Sequence, residues 1–274
     1  MKICFSTLAC PEWSWPMIIS GASDLGFDGI ELRGVAGNVY LPKNPHFDTA
    51  EHIAKTMADI ERLQLEVPIL TTGATLGRPD RFDRSVEEIK AYLELASIMN
   101  VPYLRVMGDD HPEITPTDEA LVEQGLRDLL PLAEQKGRML LLETNGVYAE
   151  SDKLLALVEK LNSPALGVLW DVHHPYRFFD EPVAETYAKL KKHIKHVHLK
   201  DSVLEGGKLT YKMFGCGDLP IREALALLYN DNYAGYISLE WVRRWNPSLE
   251  APGIALPHYI SVAQMMLRKI KAAR

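Results

Sequence analysis

The chain has 274 residues, 47% hydrophobic and 24% charged, with 37 Asp and Glu against 30 Lys and Arg for a formal net charge of −7. That is an ordinary globular balance, long enough to bury a sizeable core without disulfides or a structural metal. Its acidity offers no broad basic field to a phosphate backbone, which argues against nucleic acid as a partner.

From the N-terminus, short apolar runs alternate with longer amphipathic stretches. Strands are predicted at 2–6, 29–33, 66–70, 103–107, 139–143, 166–171, 196–199 and 236–240, and helices between them at 16–25, 49–63, 85–99, 117–135, 151–161, 182–192, 220–229 and 257–271. Pro16, Pro182, Pro220 and Pro257 mark helix starts, where a missing donor costs nothing. Asp218 is a candidate cap for the seventh helix. Strand–helix alternation implies parallel pairing with right-handed crossovers. Eight units average about 34 residues each, which suits a βα repeat of roughly 30 or more. The loop after the first strand, STLACPEW, has no glycine, which disfavours an open dinucleotide-binding sheet. The expectation is a single-domain (β/α)8 TIM barrel. The three cysteines, Cys4, Cys10 and Cys216, form no metal-ligand spacing and fit a reducing compartment. No apolar run reaches about 18 residues, and MKICFSTLAC lacks a secretory leader's apolar region; a cytoplasmic protein with no membrane partner is expected.

In such a barrel the active site lies at the C-terminal ends of the strands. Four successive runs end on chemistry: RMLLLET on Glu143, LGVLWD on Asp171, HVHLKD carrying His196, His198 and Asp201, and YISLEW on Glu240. A carboxylate closing an apolar strand is costly unless paired. Three converging carboxylates repel one another, and a divalent cation removes that repulsion. Three oxygen donors with one imidazole suit Mn, Mg, Co or Zn. For any single acid, a helix cap or salt bridge explains the pattern equally well; four on adjacent strands favour a site.

These residues resemble the xylose isomerase-like TIM barrel family of sugar phosphate isomerases and epimerases. The likeness runs through GFDGIELR at 26–33, LLLETN at 140–145, WDVHH at 170–174, HVHLKD at 196–201, GCGDLP at 215–220 and SLEW at 238–241. The resemblance implies one divalent metal held by Glu143, Asp171, His198 and Glu240. It also implies Glu143 and Glu240 as acid/base groups on opposite faces of a sugar-like substrate, an enediolate intermediate, and His174 as a substrate contact. Metal-dependent dehydration of a keto-inositol or dehydroshikimate-like compound is the alternative outcome of the same intermediate. Apurinic-site endonucleases share the barrel but need further metal-binding histidines, and here the third and fourth strands end in LTTG and RVMGDD. A non-catalytic sugar-binding barrel would need no paired glutamates. Homo-oligomers are common among such relatives.

Secondary candidates are Arg105, for a substrate carboxylate or phosphate, and Glu31, as a substrate contact or an ion pair with Arg33. His196 is expected to lie deeper than His198, and Asp201 to orient a neighbour. The GCG loop at 215–217 is a candidate anion cradle. Arg243 and Arg244 are as readily solvated as substrate-binding, and Trp13, Trp170, Trp241 and Trp245 are as readily packing residues as sugar platforms.

Overall fold

A computed structural model describes residues 1–273. In chain order it holds β1 (Lys2–Ser6), α1 (Trp15–Leu25), β2 (Gly29–Glu31), α2 (Ala50–Arg62), β3 (Ile69–Thr75), α3 (Phe82–Ile98), β4 (Tyr103–Met107), α4 (Glu119–Gln135) and β5 (Met139–Glu143). There follow α5 (Ser151–Leu161), β6 (Leu166–Asp171), α6 (His173–Phe178), α7 (Val183–Leu190), β7 (Ile194–Leu199), β8 (Asp201–Glu205), β9 (Lys208–Lys212), α8 (Ile221–Asn230), β10 (Tyr236–Leu239) and α9 (Pro252–Ala272).

Eight parallel strands run in the order β2-β1-β10-β7-β6-β5-β4-β3. The gap between β2 and β3 is bridged by backbone bonds, Ile30 N to Glu66 O at 2.9 Å and Thr71 N to Leu32 O at 2.9 Å, so the sheet closes into the expected barrel. Alternation along each strand decides what faces where. On β5, Leu140 and Leu142 join the large core between sheet and helices, while Leu141 joins Ile69 and Leu169 in a small separate cluster. That cluster is the floor of the barrel interior. Glu143, Asp171 and His198 lie two residues further along β5 and β6, or on their neighbour β7, and stand above this floor at one level, with Asp171 paired in register to His198.

The structure adds a short helix, α6, that the sequence reading lacks, and departs from that reading in four further places. The third strand is Ile69–Thr75, not 66–70. Pro68 has no donor for the ladder, so Glu66 makes only an isolated bridge to Gly29. Pro257 lies inside α9, which starts at Pro252; the earlier proline is the one spared at a helix start. Asp218 makes no cap on α8, because its carboxylate pairs with Arg177. Finally, β8 and β9 form an unpredicted antiparallel hairpin. Its turn residues Gly206 and Gly207 have φ of 58° and 78°, the left-handed pair that a tight hairpin requires. No helix among the described residues is long and apolar enough to cross a membrane.

Candidate metal centre at the barrel mouth

The four strand-end residues come together. Glu143, Asp171, His198 and Glu240 each offer a donor atom, all within 4.8 Å of one another, and all four are buried. His198 Nδ1 lies 3.6 Å from Glu143 Oε1, 3.9 Å from Asp171 Oδ2 and 3.4 Å from Glu240 Oε1. These are too long for good hydrogen bonds, and Nδ1 is a buried atom without a hydrogen-bond partner. Two ligands each about 2.1 Å from one tetrahedral ion sit roughly 3.4 Å apart. The spacing and the orphaned nitrogen therefore fit a shared cation.

The other face of His198 fixes its orientation. Its Nε2 lies 2.9 Å from Glu31 Oε2, and His196 Nε2 lies 3.0 Å from the same oxygen. Glu31 is fully buried, behind the two imidazoles rather than in the cavity wall. It makes no ion pair with Arg33, whose Nη1 donates instead to Val39 O at 3.2 Å. A carboxylate at this place presents Nδ1 to the cluster. His196 sits deeper, as alternation predicts.

Two permanent cations border the cluster. Arg105 Nη1 donates to Glu143 Oε2 at 2.8 Å and lies 3.8 Å from Glu240 Oε1; its Nη2 donates to Thr72 O at 2.6 Å. Lys200 Nζ bonds both Asp171 Oδ2 and Glu240 Oε2. Four buried carboxylates, counting Glu31, thus face two buried cations, and the uncompensated charge is what one divalent ion neutralises. Burial would raise the Glu143 pKa, but the Arg105 guanidinium outweighs it and holds the carboxyl well below its usual range. Burial pulls His198 down, yet the Glu31 and Glu240 carboxylates hold it well above the usual imidazole value. A proton and a cation thus compete for Nδ1.

Neighbouring elements tune this geometry. Thr144 Oγ1 accepts from Asp171 N at 2.8 Å and donates to Asp171 O at 3.0 Å. His174, on α6 just after β6, donates from Nδ1 to Thr144 O at 2.9 Å, which leaves Nε2 3.6 Å from Asp171 Oδ2. Arg105, Glu143, His174, Lys200 and Glu240 line a cavity of about 520 Å³. Tyr211 from the hairpin and Trp245 from the loop after β10 also line it. Trp170 and Trp241 are buried in the core instead. The GCG loop is not free to cradle an anion: Gly215 N and Gly217 N donate to Asp201 Oδ2 at 2.9 and 2.8 Å. Asp201 orients this loop. Lys200 and Tyr211 are the site residues that the sequence reading left out. Lys200 was visible in principle, since 196, 198 and 200 share one side of an extended chain. Tyr211 was not, because its place depends on how the hairpin folds back.

Comparison with known proteins agrees with the barrel fold. A family described as the xylose isomerase-like TIM barrel matches residues 19–261. Fructoselysine 3-epimerase of Escherichia coli O157:H7 is 28% identical over 239 residues, covering 81% of this chain and 83% of that protein. Among solved structures, a xylose isomerase domain protein from Planctomyces limnophilus superposes with a TM-score of 0.78 at 20% identity, over 98% of this chain and 97% of that one. The probable 3-DHS dehydratase of Bacillus anthracis does so with a TM-score of 0.78 at 18% identity, over 96% and 99%. The eight-stranded barrel and the match to most of the chain make this protein a member of the xylose isomerase-like TIM barrel family.

Proposed function

We propose that this protein is a divalent-metal-dependent epimerase acting on a ketose or ketose derivative. The observation that carries the reading is the orphaned His198 Nδ1 ringed by the carboxylates of Glu143, Asp171 and Glu240. Those four residues would hold the ion. When bound there, a divalent cation supplies a Lewis acid that makes a C–H beside a carbonyl easier to ionise.

The chain's own groups handle the proton. Glu143 and Glu240 reach the cluster from β5 and from the end of β10, and both lie against Arg105 Nη1. Arg105 keeps Glu143 ionised and able to accept the proton from carbon. Glu240, once it has taken up a proton from solvent, returns it to carbon from its own side, and Glu143 then releases the abstracted proton to solvent, which inverts the centre and resets the pair; a positioned acid or base of this kind contributes about 10²–10⁴-fold. His174 Nε2 and Lys200 Nζ offer donors to substrate oxygens. Tyr211 and Trp245 narrow the mouth against water. Similarity to fructoselysine 3-epimerase supports a sugar derivative as substrate.

The test is elemental analysis of protein purified without chelator, beside Asp171→Ala and His198→Ala, followed by incubation of a ketose in D2O. The expected result is near-stoichiometric Mn, Zn, Co or Mg, lost in both variants, with deuterium entering beside the carbonyl and an inverted product. Loss of water instead of inversion would make the enzyme a dehydratase. No metal even after adding Mn²⁺ would end the reading.

A further inference from the structure

The reaction cavity does not end at the barrel mouth. A second chamber of about 770 Å³ adjoins it, and the two share Arg33 and Gly73 in their walls. The outer chamber lies between the β2–α2 loop, β3 and the first turns of α3. Its charged lining is unusual for an acidic chain: Arg33, Lys43, Arg81 and Arg84 against Glu87 and Glu88.

These cations differ in how they are satisfied. Arg81 pairs with Asp110. Lys43 and Arg84 are exposed and have no carboxylate partner among the described residues. Arg33 is the telling one. It is only 7% exposed, and the one hydrogen bond of its guanidinium goes to a carbonyl, Val39 O. The other two deeply buried cations, Arg105 and Lys200, each bond a carboxylate. A buried guanidinium with no carboxylate in direct contact is costly. Burial first, and then repulsion from Arg105, pull its pKa down to about 10, against the opposing pull of Tyr92 and Glu88. Gly73 keeps the passage open: a Cβ there would lie 2.9 Å from Arg33 Nη2. Its backbone N–H is held by Glu88 Oε1 at 2.8 Å, so the wall is fixed.

We propose that the substrate is a ketose bearing an anionic tail, whose carboxylate or phosphate crosses Gly73 to pair with Arg33, Lys43 and Arg84 in the outer chamber. This rests on the epimerase reading for the sugar end alone. An anion entering there supplies the partner that Arg33 lacks, and guanidinium groups suit either oxyanion bidentately.

The experiment compares D-fructose, D-fructose 6-phosphate and fructoselysine by deuterium incorporation with the Mn²⁺-loaded enzyme, and by calorimetric titration. The wild type should favour at least one tailed ketose over D-fructose by about 10–100-fold in kcat/KM, as a charge-assisted bond or two would give. Which tail gains more tells phosphate from carboxylate. The double variant Lys43→Gln/Arg84→Gln, two exposed residues outside the reaction cavity, should lose about tenfold of that preference while D-fructose turnover stays unchanged. Gly73→Ala should cut the preference further by displacing Arg33. Equal kcat/KM for all three sugars, or equal losses on all three in the variants, would overturn the proposal. If no sugar is turned over, the epimerase reading falls separately. Calorimetric binding of D-fructose 6-phosphate or fructoselysine that weakens in the double variant then still upholds the anion chamber, and binding of neither tailed ketose, or equal binding by both proteins, refutes it.

Discussion

Replacing Glu31 by Gln separates orientation of the candidate metal ligand His198 from mere packing. Oε2 of Glu31 takes both His196 Nε2 and His198 Nε2, at 3.0 and 2.9 Å, while Oε1 is buried without a partner. A glutamine oxygen can accept the same two bonds. Its amide N–H group, however, would occupy the place of Oε1 and find no acceptor, which costs about 1–3 kcal/mol of fold stability. The loss of negative charge also weakens His198 as a donor. Outer partners of metal-bound histidines typically contribute about 10–100-fold in affinity, or about 1.4–2.7 kcal/mol. The assay is Zn²⁺ competition against a chromophoric chelator, with a thermal melt of the metal-free protein alongside. Both quantities should fall. If Glu31→Gln lowered the melting temperature but bound Zn²⁺ as tightly as the wild type, Glu31 would be a packing residue and the orientation argument would be wrong.

Three further outcomes are expected. Arg105→Met strips Glu143 of its guanidinium and should destabilise the metal-free protein by about 3–5 kcal/mol, with part of the loss recovered on adding Mn²⁺; urea unfolding that shows the same deficit with and without the ion would refute the charge argument. Because the His198 pKa is raised well above that of free imidazole, the metal-free site carries a proton at pH 7 that the ion must displace. Metal affinity should therefore rise with pH, with about one proton released per ion, measurable by calorimetry in buffers of different ionisation enthalpy; no dependence on buffer would count against it. Asp201→Ala should free the backbone N–H groups of Gly215 and Gly217, at about 1–3 kcal/mol each if they stay buried. It should also raise KM through the loosened hairpin, and unchanged melting and KM together would dismiss the anchoring role.

Periodicity and chain order were enough to read the barrel, because each strand run alternates between a helix-facing and an interior side. Glu143, Asp171 and His198 could be placed at one level from that rule alone. What failed was local. Glu66-Val-Pro reads as extended chain, but Pro68 cannot join the ladder, so the third strand begins at Ile69. Pro252 and Pro257 carry the same local signal, and α9 begins at the first of them. The Gly206-Gly207 turn was legible as a hairpin, but where the hairpin lays Tyr211 depends on Ser202 meeting His173 and Arg177 across the chain, at 2.9 and 2.8 Å. The role of Glu31 was hidden for a similar reason: its partners lie 165 and 167 residues away.

The closure between β2 and β3 has a dynamic consequence. Pro68, which has no N–H, splits the backbone bonds of this joint into two short sets, one at Glu66 and one at Ile69–Thr71, where the pairings of β4, β5 and β6 run on without such a break. Local opening is cheapest where backbone bonds are sparse, so amide exchange should be fastest at this joint and slowest across β5, β6 and β7. Three of the four metal-binding candidates stand on those slow strands, whereas Arg33 and Gly73 flank the joint itself. The barrel thus pairs a stiff wall under the candidate metal centre with a more yielding wall beside Arg33 and Gly73. A molecule gripping Arg33 across Gly73 would act as a clasp, slowing exchange in β2 and β3 while leaving the opposite wall unchanged.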